Sequence, residues 1–236
     1  MYTKNLPGGG FFVFMKRLII FANGVIPAIE STRSLIQPGD RIIAADGGTR
    51  HALALGLLPS LVIGDMDSLA ASERQRLEAT GVSMLQYPHD KDETDLELAF
   101  DYALREGYDE IRVAGALGGR LDQTVGNLSL LTDPRFDRLD IRFDDGVDEA
   151  FFTRRSCQVH GNPGDSVSLL PWNGEAQGVY TEGLHWPLRN ETLFPDKTRG
   201  ISNEMIGEVA SLSLQSGLLL VTHHRLSVVL ENMSVK

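Results

Sequence analysis

The stretch Leu61-Val62-Ile63-Gly64-Asp65-Met66-Asp67-Ser68 decides the fold. An unbroken apolar run of this length, bounded by turn residues, marks a strand covered on both faces rather than one. Its carboxylates come where the strand leaves its sheet. The same order recurs along the first 145 residues. Residues 41–45 run into Asp46-Gly47-Gly48, and residues 82–87 run into Asp90-Lys91-Asp92-Glu93-Thr94-Asp95. Residues 111–114 run into Gly115-Ala116-Leu117-Gly118-Gly119-Arg120-Leu121-Asp122. Residues 17–22 and 139–143 read as two further strands.

Helical patterns separate these runs. The clearest spans residues 94–106, where Leu96, Phe100, Ala103 and Leu104 form one apolar stripe. Thr94 stands at its N-cap with Glu97 three residues later, the pattern of a capping box. A second helix carries Leu121, Val125, Leu128 and Leu131 on one face. Strand and helix in alternation predict a doubly wound, mostly parallel α/β sheet. After about residue 145 the pattern changes to short β-like runs split by Asn162-Pro163-Gly164-Asp165, Trp172-Asn173-Gly174 and Ser216-Gly217. That half predicts a small antiparallel β-sandwich. Residues 1–14 read as a flexible extension, because Met15-Lys16-Arg17 precedes the first strand as a more natural start.

Composition narrows the function. The 236 residues hold 22 Lys and Arg against 32 Asp and Glu, a net charge of −10. So acidic a chain is not expected to wrap nucleic acid, which needs clustered cations. Nucleotides remain open to it, since a divalent metal can stand between carboxylates and phosphates. The single cysteine, Cys157, excludes an internal disulfide and a multi-cysteine zinc site. No apolar run approaches the roughly 20 residues that span a bilayer. A cytoplasmic protein with no membrane partner is the expectation.

Open parallel sheets bind ligands at the carboxyl ends of their strands. Four consecutive strand ends here carry acidic, glycine-rich or basic residues, which a packed core does not require. Asp65 and Asp67 are one residue apart, and a tight turn after Gly64 would aim both at one point. Such carboxylates repel unless a cation sits between them, and hard oxygen donors suit Mg²⁺. Asp95, in the first turn of the strong helix, is a third candidate ligand. The glycine-rich segment can offer backbone N–H groups and a helix start to an anion. Arg120 and Lys91 are the candidate phosphate partners. These residues point to a Mg²⁺-dependent site for a phosphorylated small molecule, a nucleotide first of all.

In order and spacing, Ala45-Asp46-Gly47-Gly48, Gly64-Asp65-Met66-Asp67-Ser68, residues 90–97 and Gly115–Gln123 resemble the successive motifs of the thiamine pyrophosphokinase (thiamine diphosphokinase) family. Gly183-Leu184-His185-Trp186-Pro187-Leu188 and Gly200-Ile201-Ser202-Asn203-Glu204 are similar to its two later segments. The resemblance implies transfer of the diphosphate of ATP to the hydroxyl of thiamine, with AMP released. It implies a nucleotide-binding α/β domain at 15–148, a β-sandwich for thiamine binding and dimerisation at 149–236, and a homodimer. By the same resemblance Asp65, Asp67 and Asp95 hold Mg²⁺, and with Asp122 and Arg120 form the catalytic set. Asn23, Asp46, Gly47, Gly48, Lys91, Gly118, Gly119, Arg120 and Gln123 line the nucleotide. Asp92, Ser202, Asn203 and Trp186 hold thiamine.

Two other functions fit parts of the pattern. A sugar-nucleotide glycosyltransferase also uses an Asp-x-Asp at a strand end, although residues 90–97 would have no role in one. A thiamine or nucleotide sensor could keep the fold without turnover, although a binder has less need of three carboxylates. Elsewhere the residues read as ordinary structure. Cys157 and Trp172 are expected to pack. His223 and His224, pointing to opposite faces of a strand, are expected at a surface or interface. The acidic run Asp137, Asp140, Asp144, Asp145, Asp148 and Glu149 is expected to be a solvated junction.

Overall fold

The computed structural model describes residues 15–226 and 228, so the extension assigned to residues 1–14 lies outside the described residues. The chain forms two compact units. Among the described residues, one takes 15–23, Ile36–Arg112 and Pro134–Ile141; the other takes Gly24–Leu35, Val113–Asp133 and 142–226 with 228. The glycine-rich segment, which belongs to the first half by sequence, therefore groups with the second unit.

The first unit is built on strands β1 (Arg17–Phe21) and β2 (Arg41–Ala45), helix α1 (Thr49–Ala54), β3 (Leu61–Gly64), α2 (Ala71–Ala79), β4 (Ser83–Gln86) and α3 (Asp95–Glu106). The strands are parallel in the order β1-β2-β3-β4. Leu18 to Phe21, Ile43, Ala44, Val62 and Ile63 are all buried, as continuous apolar strands require. Helix α3 starts as its sequence predicts. Thr94 Oγ1 accepts the Glu97 N–H at 3.2 Å, and Gly107 ends the helix in a left-handed conformation. The Glu97 carboxylate instead accepts from Arg135 Nη2 at 2.9 Å. Leu96, Phe100 and Ala103 are buried, the two large side chains each stabilising the fold by about 1.5–3 kcal/mol.

Strand β5 (Glu110–Ala114) starts in the first unit and ends in the second. Helix α4 (Leu121–Leu130) follows. Its apolar stripe is where sequence placed it, but the helix buries no residue; Leu121 is 78% exposed and Val125 46%. Strand β6 (Asp140–Asp144) leads to β7 (Asp148–Thr153), β8 (Ser156–His160), β9 (Ser166–Pro171), β10 (Ala176–Glu182), β11 (Arg189–Leu193), β12 (Asn203–Glu204), β13 (Val209–Ser213) and β14 (Leu219–His224). Two antiparallel layers result, ordered β12-β9-β14-β7-β6 and β11-β10-β13-β8. They share one core: Phe151, Val167, Leu169, Leu219 and Val221 from one layer, Val159, Val179, Leu193, Ala210 and Leu212 from the other. This is the predicted sandwich. Cys157 packs against that core, half-buried, and Trp172 stacks edge-on against Phe152 with ring centroids 5.3 Å apart. The fold is thus α/β, a mostly parallel sheet domain followed by a smaller antiparallel one.

Two expectations are corrected in this unit. His223 is not at a surface; it is fully buried, because β14 is a central strand hydrogen-bonded to both β9 and β7. Its Nε2 lies 3.1 Å from Asp165 Oδ2, while His224 on the opposite face pairs with Asp148 at 2.7 Å. The acidic run is not uniformly solvated either. Asp144, Asp145 and Glu149 are buried. Arg225 donates to both Asp144 oxygens at 2.8 and 2.9 Å, and Arg142 Nη1 donates to Glu149 Oε1 at 2.9 Å. Burial alone would raise the Glu149 carboxyl; His223, Arg142 and Arg225 outweigh it and hold the group down at about 2.

Candidate functional site

Three chain segments of the first unit bring carboxylates together. Asp46 begins a 3₁₀ turn (Asp46–Gly48) directly after β2, with φ of 39° and 5% exposure. Thr49 Oγ1 fixes that turn by donating to the Asp46 carbonyl at 2.7 Å. Asp65 follows β3. The chain then reverses at Met66, which is buried in a left-handed conformation, and the Asp67 N–H donates to Asp65 Oδ1 at 3.1 Å. Asp95 opens α3. Gly64 is the floor on which they meet. A Cβ there would stand 2.9 Å from Asp46 Cβ and 3.0 Å from Asp95 Cγ, at a φ of +150° that side chains avoid.

One oxygen each from Asp46, Asp65 and Asp95 lies within 4.8 Å of the others. Asp46 Oδ1 is buried without a hydrogen-bond partner. A buried carboxylate oxygen in that condition costs free energy unless a cation or donor completes it. Lys91 supplies part of the charge: its Nζ lies 3.1 Å from Asp95 Oδ1 and 3.9 Å from Asp65 Oδ2. Burial pushes the Asp95 carboxyl above its ordinary value, against the pull of Lys91. Three converging carboxylates, with the buried Asp46 Oδ1 unpartnered and Gly64 leaving a cradle that a Cβ would fill, match the demands of a hard divalent cation such as Mg²⁺.

The predicted trio Asp65, Asp67 and Asp95 is not the trio that closes up. Asp46 takes the place beside Asp95, and Asp67 groups with Asp65 and His89. His89, which the sequence reading passed over, is exposed; its Nδ1 is 2.7 Å from Asp65 Oδ2 and 3.6 Å from Asp67 Oδ2. That hydrogen bond lowers the Asp65 carboxyl and raises the His89 imidazole. Its only local signal was a position two residues before Lys91. Asn23 packs its side-chain amide where a Cβ on Gly47 would stand, and Gly48 lies against the Phe21 carbonyl. Asp92 is exposed.

The second unit holds the remaining predicted residues. In the glycine-rich loop the carbonyls of Gly115, Ala116, Leu117 and Gly118 accept from Gly24 N, Asn127 Nδ2, Thr124 Oγ1 and Val25 N at 2.8–3.2 Å. Gly118 lies so close to the Val25 carbonyl that no side chain fits there. Arg120 and Asp122 are both exposed and paired, Nε donating to Oδ1 at 3.1 Å. Arg120 holds the Asp122 carboxyl below the ordinary range, and the Gln123 N–H also donates to it at 3.0 Å. In the sandwich, Asn203 is buried with its amide committed to backbone: Oδ1 accepts from Trp186 N at 3.0 Å and Nδ2 donates to Trp186 O at 2.7 Å. The clamp leaves the Trp186 indole half exposed, beside the His185 ring at 4.5 Å. Ser202 is exposed in a left-handed conformation, its N–H donating to Ser168 Oγ at 3.0 Å.

Two family models match the chain: the thiamin pyrophosphokinase catalytic domain over residues 32–143, and the thiamin pyrophosphokinase vitamin B1 binding domain over residues 156–219. The thiamine pyrophosphokinase of Bacillus subtilis (strain 168) is 30% identical over 209 residues, covering 88% of this chain and 98% of that protein. Thiamine pyrophosphokinase 1 of Oryza sativa subsp. japonica is 28% identical over 170 residues, 68% of this chain and 64% of that protein. Among solved structures, the Bacillus subtilis thiamine pyrophosphokinase superposes with a TM-score of 0.80 at 29% identity, covering 89% of this chain and 99% of that one. The Candida albicans thiamin pyrophosphokinase shares the fold at 18% identity, with a TM-score of 0.75 over 89% of each chain.

Proposed function

Because the chain belongs to the thiamin pyrophosphokinase family, whose activity is ATP-dependent diphosphorylation of thiamine, we propose that its acidic cradle holds Mg²⁺ for that transfer. The observation that carries this reading is the convergence of the Asp46, Asp65 and Asp95 carboxylates over Gly64, with the buried Asp46 Oδ1 left without a hydrogen-bond partner. Asp46, Asp65 and Asp95 would be its ligands, with Asp67 available on the same turn. Mg²⁺, when bound, neutralises polyphosphate charge. The protein's own work is then positioning, since phosphoryl-type transfer needs little covalent help. Thiamine offers its hydroxyl to the β-phosphorus in line with departing AMP.

ATP binding is assigned to Asn23, Asp46, Gly47, Gly48, Lys91, Gly118, Gly119, Arg120 and Gln123. Support comes from the loop carbonyls of Gly115 to Gly118, whose negative ends are already engaged by internal donors. Asp122 fits an orienting role for Arg120 better than a base role, because a carboxylate held low is a weak base. Asp92, Ser202, Asn203 and Trp186 are assigned to thiamine, Asn203 through the backbone it holds. Nucleotide binding thus goes to residues 15–148, and thiamine binding and dimerisation to 149–236. A homodimer is supported by the exposed Leu121 and Val125 on α4, a helix that precedes residue 149 in sequence but groups with the second unit, so the proposed interface extends beyond 149–236. No described helix is long and apolar enough to cross a membrane, and a cytoplasmic location remains our proposal.

The test is AMP release from ATP, Mg²⁺ and thiamine, beside a control without thiamine and an Asp65→Asn variant. Thiamine-dependent AMP release, abolished by EDTA and by the substitution, is expected. AMP or ADP release without thiamine would refute diphosphate transfer. Thiamine binding without turnover would leave a sensor.

A further inference from the structure

The carboxylate cradle already contains a cation of its own. The Lys91 side chain is only 11% exposed, and its ammonium reaches Asp95 and Asp65 from the segment between β4 and α3. The carboxylates it touches are two of the three that converge as candidate ligands of a divalent cation; the third, Asp46, has a buried oxygen without a hydrogen-bond partner. A second cation of the same sign within a few ångströms of that ammonium is repelled by it. The three aspartates stand on the strand ends and the helix start, whereas Lys91 hangs on a flexible four-carbon stem. The lysine is the partner that can move.

We propose that Lys91 is an exchangeable counter-ion: it holds Asp65 and Asp95 together before the metal arrives, and leaves them for polyphosphate oxygens when the metal takes its place. This rests on the reading of the cradle as the Mg²⁺ site. The exchange makes metal and nucleotide binding mutually dependent. A bare divalent cation must displace Lys91 into water, whereas a cation arriving with polyphosphate brings the ammonium a new anionic partner. By linkage, each ligand then strengthens the other by the same factor. Lys91 is a positioning residue in this scheme, and the metal enters with its nucleotide.

The experiment measures Mn²⁺ binding by electron paramagnetic resonance in wild type, Lys91→Gln and Lys91→Arg, with and without α,β-methylene-ATP; circular dichroism checks the fold. Wild type is expected to bind bare Mn²⁺ weakly and at least tenfold more tightly with the inert nucleotide. Lys91→Gln is expected to bind bare Mn²⁺ at least tenfold more tightly than wild type and to lose most of the nucleotide effect, while Lys91→Arg retains it. Unchanged or weaker bare Mn²⁺ binding in a folded Lys91→Gln overturns the exchange while leaving the metal site standing. Absence of a nucleotide effect in wild type overturns it without recourse to any variant. No Mn²⁺ binding under any condition refutes the metal site itself, and the exchange with it.

Discussion

Replacing Glu149 with Gln removes one charge from the buried ionic cluster it forms with Arg142, Arg225 and His223. The carboxylate accepts from Arg142 at 2.9 Å, and Arg225 and His223 stand 3.6 Å away. A value of about 2, against an ordinary 4.5, means that the folded state favours the charged form by on the order of 3 kcal/mol at 1.36 kcal/mol per pH unit. Because the folded value is depressed, this stability is present above pH 4.5 and drains away as pH falls toward 2. It should stand at about half near pH 3. Urea unfolding of wild type and variant from pH 7 down to pH 3 reads the difference directly. At pH 7 the variant should lose on the order of 3 kcal/mol, or roughly 6–12 °C in melting temperature for a chain of this size. The gap should narrow by about half at pH 3. A gap that is the same at both pH values, or under about 1 kcal/mol at pH 7, would refute the electrostatic account.

Gly64→Ala should force Asp46 and Asp95 apart and cut Mg²⁺-dependent AMP release at least tenfold, about 1.4 kcal/mol in activation free energy. Asp122→Asn should keep kcat within about threefold while changing KM for ATP, since it frees Arg120; a hundredfold loss of kcat would assign Asp122 the base role. Thr94→Ala removes the acceptor for the Glu97 N–H and should cost about 1 kcal/mol, read by thermal unfolding. Leu121→Glu puts a charge on the exposed stripe of α4 and should halve the solution mass measured by light scattering if that stripe joins two subunits.

What the sequence disclosed is what short stretches encode. Strands β2 and β3, the cap at Thr94 and the carboxylates just past each strand depend on neighbours within a few residues, so periodicity and turn chemistry reveal them. Which carboxylates close on one another depends on more. Asp46 meets Asp95 because adjacent parallel strands end level and Gly64 lacks a side chain, whereas the left-handed turn at Met66 sends Asp67 toward His89. The burial of His223 follows from the central position of β14, which is a property of strand order. The exposed stripe of α4 shows the converse: an amphipathic pattern promises a partner for the apolar face without saying that the same chain supplies it.

The two compact units alternate along the chain, and this bears on how such a protein can be inherited and made. The second unit needs residues 24–35, where the Ser31 carbonyl crowds Gly146, and also needs 113–133. A gene fragment starting at residue 149 would encode most of the sandwich strands but not the pieces that complete their unit. Recombination cannot exchange either unit as a cassette through a single crossover. On the ribosome, residues 24–35 must wait until more than a hundred further residues have been synthesised before their neighbours from Arg142 onward exist. Selection therefore acts on the pair of units together.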